Sequence, residues 1–326
     1  MTEYLQLFKL QMALLGTAMV LAVAWSLERL GAGRRHTLLA LGTIAASPLL
    51  LGHVFLNRYD LWPTTLMALV VVALLVEREV LGSALLAMAF AAKLVAAVAV
   101  PVVLVRVWRT NGRVGVARGA VSFAVVCLVV FSYFLVVAFG GLGHSYWIQA
   151  KRDLQAESAA ASVLLAADSL GIYDATIVAG DPGSLDLSGS LPGALAAATT
   201  LVTLAALLFV WWSYAHGPES DERLVLALAA ATASVLAFSK VLSPQFMIWL
   251  LPLVPLVGGR AGRVATILLG VAMLLTQVEL WGWEGLHVGA WAAWVLLTRN
   301  VLLVVLFALL ARELALRWSR LPSARA

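Results

Sequence analysis

Four basic residues, Arg58, Lys93, Lys240 and Arg299, lie in or beside strongly apolar stretches. A charge at membrane depth costs on the order of several kcal/mol, so each needs a carboxylate, a polar cavity or a route to an interface. Lys93 comes about 14 residues into its apolar segment, roughly 20 Å along a helix, which is too deep to reach back to the starting face. It either pairs with a neighbouring carboxylate or lines a polar cavity. In the run Lys240-Val-Leu-Ser243-Pro-Gln245, Ser243 suits an N-cap and Pro244 a first helical position. A new helix is expected there, and its open N–H groups would make with Lys240 a site for a phosphate. The alternative is a plain helix break. Arg299-Asn300 falls near the middle of the last apolar stretch, where a guanidinium that cannot be titrated away must face the bundle interior. Arg58-Tyr59-Asp60 closes one apolar stretch and opens the next, as an interfacial anchor with an internal ion pair or as part of a site.

The carboxylates on the same side as these cations are Asp60, Asp153, Glu157, Asp168, Asp174, Asp181, Asp186, Glu279 and Glu284. Only Asp60 and Glu157 adjoin other candidates, and they are expected to hold sugar hydroxyls or to act as a general base. Cations gathered beneath a polar loop suit a ligand with a lipid tail, a phosphate and a polar head, such as a polyprenyl-phosphate sugar. The matching chemistry is attack of an acceptor hydroxyl on the anomeric carbon, with a carboxylate taking the proton and cations stabilising the departing phosphate. No P-loop or strand–glycine–helix unit is present for a nucleotide donor. The His residues, including His53 and His144, stand singly without metal-ligand spacing, so no structural metal and no cofactor are expected.

The elements that must position these residues follow from composition. The chain is 63% hydrophobic and 12% charged with a mean hydropathy of +0.98, against about 25% charge in soluble domains. Uninterrupted Leu/Val/Ala runs do not alternate as barrel strands would. Spans are expected near residues 5–27, 37–56, 61–76, 119–139, 193–213, 224–241, 264–280 and 288–310. Residues 80–93, 94–105 and 246–258 are shorter, and read as broken or re-entrant helices. The expected fold is all-α, a single transmembrane domain over residues 1–326 with about 9–11 membrane segments. Cys127 has no partner in the chain, and Met1 to Lys9 lacks the clustered basic start of a cleaved signal.

Arginine sets the expected orientation. Arg29, Arg34 and Arg35, then Arg106, Arg109, Arg113 and Arg118, then Arg260 and Arg263, and finally Arg312, Arg317, Arg320 and Arg325 all fall on one side, the cytoplasmic one. The other side receives Asn57 to Asp60, Lys93, the long loop 140–192, Lys240 to Gln245 and Trp281 to His287. An Ala-rich segment, Glu157 to Ser169, is expected to form one short helix in that loop. The net charge of +5 is thus explained by membrane topology and not by nucleic-acid binding. The implied location is a multi-pass protein of the plasma (inner) membrane with its active face extracytoplasmic.

Three stretches carry a family likeness: Asn57-Arg-Tyr-Asp-Leu-Trp-Pro63 with the helix to Lys93 and Pro101; Arg152-Asp-Leu-Gln155-Ala-Glu157-Ser158 with Ala161-Ser162; and Phe238-Ser-Lys240-Val-Leu-Ser243-Pro-Gln245 before Trp249-Leu-Leu-Pro252. In these the chain resembles the glycosyltransferase 87 family, bacterial GT-C mannosyltransferases that use polyprenyl-phosphate sugars. The resemblance implies a GT-C-like bundle and an inverting hexosyl transfer, mannosyl in the family, to a lipid or glycan acceptor without a nucleotide sugar. Taken with the residues singled out above, the expected site has donor-phosphate contacts from Arg58, Lys93, Lys240, Ser243, Gln245 and Arg299, sugar or acceptor contacts from Tyr59, Arg152 and Gln155, and Asp60 and Glu157 as candidate catalytic carboxylates. By this likeness the chain begins after the family's first span and first outer loop with its catalytic Asp, and Glu3 does not replace that residue. The alternative functions are a flippase or transporter of lipid-linked saccharides, a catalytically incomplete homologue, and a structural membrane subunit.

Overall fold

With hydrocarbon outside, backbone groups must be satisfied within the segment, so the Leu-, Val- and Ala-rich runs become helices. The computed structural model describes residues 2–180 and 184–316; Asp181, Arg317, Arg320 and Arg325 lie outside the described residues. Among the described residues, five helical stretches are long and apolar enough to cross a membrane: Glu3–Arg29, Leu94–Val137, Ser190–His216, Gly259–Gly282 and Ala290–Leu316. Leu61–Leu75, Glu79–Ala92, Ala159–Ser169 and Pro244–Leu256 are shorter apolar helices. The chain is an all-α, polytopic helical membrane protein.

In order, the helices are α1 (Thr2–Arg29), α2 (Arg34–Leu51), α3 (His53–Asn57), α4 (Leu61–Leu75), α5 (Glu79–Ala92), α6 (Val100–Val137), α7 (Phe139–Lys151), α8 (Ala159–Ser169), α9 (Ser190–His216), α10 (Asp221–Phe238), α11 (Gly259–Glu279) and α12 (Ala290–Leu316). Two antiparallel hairpins, β1 (Thr176–Gly180) with β2 (Ser184–Ser188) and β3 (Trp283–Glu284) with β4 (His287–Val288), lie between helices. Helix α10 is the hub. It packs against α9 and α12 and is buried almost throughout from Arg223 to Ala237. Arg223, 1% exposed, donates to the carbonyls of Ser213 at 2.7 Å and Leu314 at 2.8 Å, tying α9, α10 and α12 together at one end.

The polar connections gather at two opposite ends. At one lie residues 30–33, the α9–α10 turn and the start of α11; there Arg106 pairs with Glu219 at 2.5 Å and Asp221 at 2.8 Å. At the other lie Asp60, Lys93, residues 152–158 and the Lys240–Ser243 stretch. Helices α2, α10 and α11 run between the two ends, and the 21 residues of α11 alone span about 30 Å.

The structure departs from the sequence reading at three places. Residues 94–105 and 119–139 are not separated by a loop: a 3-10 turn, Leu94–Ala99, leads into α6, so Arg106, Arg109, Arg113 and Arg118 are helical. Helix α6 is broken at Gly112, which takes φ +61°. Pro244 opens two 3-10 turns, Pro244–Leu250 and Val254–Leu256, instead of an α-helix. Pro244, Pro252 and Pro255 recur too closely for an α-helical hydrogen-bond ladder to pass, so the segment closes with shorter-range bonds. The loop 140–192 holds α7 and the β1–β2 hairpin besides α8, whose start is capped by Ser158.

Candidate functional site

Asp60 precedes α4, in the position of an N-cap, but its side chain makes no capping bond. It is 1% exposed and turns instead to Lys93, whose Nζ donates to its Oδ1 at 2.6 Å, while the indole N–H of Trp249 donates to the same oxygen at 2.6 Å. Lys93 reaches this point because α5 stops there: its backbone is extended at φ −161° and ψ 129° between α5 and the following 3-10 turn. Three rings surround the ammonium, with Tyr59, Phe246 and Trp249 centroids at 5.0, 5.0 and 4.9 Å. Each ring presents negative quadrupole to the cation, so carboxylate and rings together replace the water that burial removed. Phe246 stacks on Trp249 at 3.9 Å, and the turn that begins at Pro244 places both rings on one side.

Two further cations stand near. The charges of Arg58 and Arg152 both act on Lys93 across the site. Arg58 is exposed at the end of α3 and Arg152 is half-buried at the end of α7. The segment after Arg152 is held on both edges. Leu154 accepts from the Leu187 N–H at 2.9 Å and Ala156 donates to Leu185 at 2.8 Å, adding residues 154–156 to β2. On the opposite edge the Gln155 N–H donates to the Lys240 carbonyl at 2.9 Å, and Gln155 Nε2 donates to Ser243 Oγ at 3.0 Å. Lys240 Nζ donates to the Ala150 carbonyl at 3.0 Å, fixing the end of α7. The second and third sequence stretches are therefore joined side by side.

Polar atoms without partners collect here. Arg152 Nε, Gln155 Oε1 and Asp186 Oδ1 are buried with no hydrogen-bond partner among the described residues. Buried polar groups are normally satisfied by protein or by ordered water, and these three gather around one segment. Burial raises the Asp186 carboxyl above the usual range, with the Ser184 hydroxyl and Arg152 pulling the other way.

Arg299 and Glu157 belong to a second cluster. Arg299 is fully buried; it meets Glu279 at 2.8 Å, the Glu157 carbonyl at 2.7 Å and, through Nε, Asn300 Oδ1 at 3.1 Å. Asn300 Nδ2 also donates to the Glu157 carbonyl at 3.1 Å. Arg299, expected to contact a donor phosphate, has no exposed surface and four protein acceptor atoms, and its guanidinium clamps residue 157 to α12. The Glu157 carboxylate faces Arg299 at 3.5 Å, not the Asp60 cluster. Burial, then the negative charge of Glu279, raises the Glu157 carboxyl well above the ordinary carboxylate range, against the pull of Arg299.

Of the other expected residues, Tyr59 is 49% exposed and forms one wall of the cage. Ser243 does not cap a helix, because its hydroxyl accepts from Gln155. Gln245 is half-buried beside Phe246. Trp249, Phe246 and Glu279 were not assigned roles from sequence. The two rings lie in or beside the Ser243-Pro244 and Trp249-to-Pro252 stretches, and Glu279 was only one of nine same-side carboxylates until α11 set it against Arg299. Among the described residues no three His, Cys, Asp or Glu side chains are grouped to hold a metal ion. Compared with protein-family models and with curated proteins, the chain matches none.

Proposed function

We propose that the Asp60–Lys93 site binds a polyprenyl-phosphate-linked sugar and that the protein transfers its hexosyl group, mannosyl by the glycosyltransferase 87 resemblance, to a lipid or glycan acceptor. The observation that carries this reading is Lys93: an ammonium held by one carboxylate and three rings, beside Arg58 and Arg152, at one end of a membrane bundle. Three cations set against the buried Asp60 leave a surplus of positive charge for a phosphate. The aromatic faces suit the apolar side of a sugar ring, and the surrounding lipid takes the polyprenyl tail.

In the transfer, an acceptor hydroxyl oxygen forms a bond to the anomeric carbon. The bond from that carbon to the phosphate oxygen breaks, and its electron pair leaves on the phosphate. Lys93, Arg58 and Arg152 stabilise that charge as it develops. The hydroxyl proton passes to a carboxylate, and we assign that role to Asp60: both of its side-chain bonds fall on Oδ1, which leaves Oδ2 to take the proton. We further propose a plasma-membrane location with the Asp60 end outside, since Arg34, Arg35, Arg109 and Arg263 collect at the opposite end.

Purified protein incubated with radiolabelled polyprenyl-phosphate mannose and an envelope lipid extract tests the reading. Release of polyprenyl phosphate with label in the acceptor is expected, and Asp60→Asn should bind donor without releasing it. Binding without release in the unaltered protein, with donor moving across proteoliposomes, would favour the transporter and overturn the transferase.

A further inference from the structure

At the end of the bundle away from Asp60, residues 30–33, the start of α2 and the start of α11 enclose a cavity of about 440 Å³. Its lining includes Arg34, Arg35, Arg263, His36 and Glu222. The three arginines have no carboxylate partner within ion-pair distance among the described residues, whereas Arg106 and Arg109 nearby are paired with Glu219 and Asp221. Three guanidiniums against the single Glu222 leave the cavity with two surplus positive charges.

Two helices begin at this cavity, and neither start is covered. Gly33 and Gly258 occupy the N-cap positions of α2 and α11 without a side-chain cap. A Cβ on Gly31, Gly33, Gly258 or Gly259 would meet nothing within 4 Å, so open space borders the backbone there. First-turn N–H groups and dipole ends therefore face the same volume as the arginines.

His36 belongs to the same lining. It is only 7% exposed and lines the cavity. Its Nε2 lies 2.9 Å from the Pro255 carbonyl, which can only accept, so that nitrogen carries the proton and fixes the ring at the rim; Nδ1 is buried, with no partner among the described residues. Arginines that served orientation alone would need no shared cavity; Arg113 on α6, exposed and set over the Trp108 ring, is not part of this lining.

We propose that this cavity binds a phosphate group, carried by an anionic phospholipid headgroup or by a soluble phosphate ester, with Arg34, Arg35 and Arg263 as its ligands. The site is independent of the donor site, since α2 and α11 separate the two.

Native mass spectrometry of the purified full chain in mild detergent tests this, titrating phosphatidylglycerol, phosphatidylcholine of matched chains, glycerol phosphate and inorganic phosphate. The unaltered protein should retain one phosphatidylglycerol with about tenfold or greater preference over phosphatidylcholine. Glycerol phosphate competing as well as the lipid would assign the site to a soluble ester; failure to compete would assign it to the lipid headgroup. Both results support phosphate recognition. The triple variant Arg34→Gln/Arg35→Gln/Arg263→Gln should lose that affinity about tenfold while Arg113→Gln does not. All three positions are exposed, and the titration of the unaltered protein needs no variant. Equal retention of the two lipids with no displacement by either phosphate, or an equal loss in Arg113→Gln, overturns the proposal.

Discussion

Lys93 Nζ and Asp60 Oδ1 meet at 2.6 Å although 33 residues separate them, and the Trp249 indole donates to the same oxygen from a third segment. One carboxylate thus fastens the α3–α4 junction, the α5 break and the Pro244 turn to one another.

Removing one partner of that pair strands the other. Asp60→Ala is expected to destabilise the protein by about 3–5 kcal/mol, because the ammonium stays buried without its carboxylate. The double variant Asp60→Leu/Lys93→Met should recover most of that loss. Unfolding midpoints in mild detergent measure both, and a double variant no better than the single would contradict the pairing as the main term.

Arg299 is expected to behave as a structural clamp. Arg299→Met leaves Glu279, itself fully buried, without a counter-charge and should cost about 3–5 kcal/mol, with partial recovery in Arg299→Met/Glu279→Met. Donor affinity per folded molecule should be unchanged. A fall in affinity at unchanged stability would restore Arg299 to the phosphate site.

Stability should decline as pH rises, in part through Glu157. Burial and Glu279 push its carboxyl from the ordinary 4.5 up to about 8, so between those values the folded state keeps a proton that the unfolded chain has released. The group's contribution is complete below the unfolded value and is lost as pH climbs towards the folded one. Thermal midpoints from pH 5 to 8 should fall less steeply in Glu157→Gln, whose amide is always neutral. An unchanged slope would show that Glu157 is already ionised in the fold.

The Gln155–Ser243 bond joins the loop to the Pro244 turn. Gln155→Ala and Ser243→Ala should each cost about 0.5–1.5 kcal/mol, and the double variant little more than either, since they share one bond. Hydrogen exchange at residues 154–156 should quicken in both. Fully additive costs would mean that the two side chains act separately.

Much of the fold was legible because lipid leaves the backbone few options: apolar run length alone located both ends of α1, α4, α9 and α10 to within about three residues. The site was legible in part. Lys93 stood out as a charge in an apolar run, and Arg58-Tyr59-Asp60 as a polar interruption, but that Asp60 serves Lys93 depends on how α4 and α5 pack. Arg299 looked the same as Lys93 by the rule that a buried charge needs a partner; only the packing of α11 and α12 shows that Glu279 meets it. Ser243-Pro244 misled because a cap followed by proline predicts an α-helix locally, and Pro252 and Pro255 act on that segment from further along. The β1–β2 hairpin was missed because Gly, Ser and Asp between helices read as loop, and burial in its strands does not alternate: Ser184, Asp186 and Leu187 are all buried in β2, and no residue of β1 is.

The most direct test of the account is the dissociation constant of polyprenyl-phosphate mannose for the unaltered protein, Lys93→Met and Arg113→Gln, measured in nanodiscs on folded, monodisperse samples. A phosphate site at Lys93 predicts a weakening of about tenfold or more in Lys93→Met and none in Arg113→Gln. Equal affinity in all three proteins would contradict it, leaving the Asp60–Lys93 pair as structure alone.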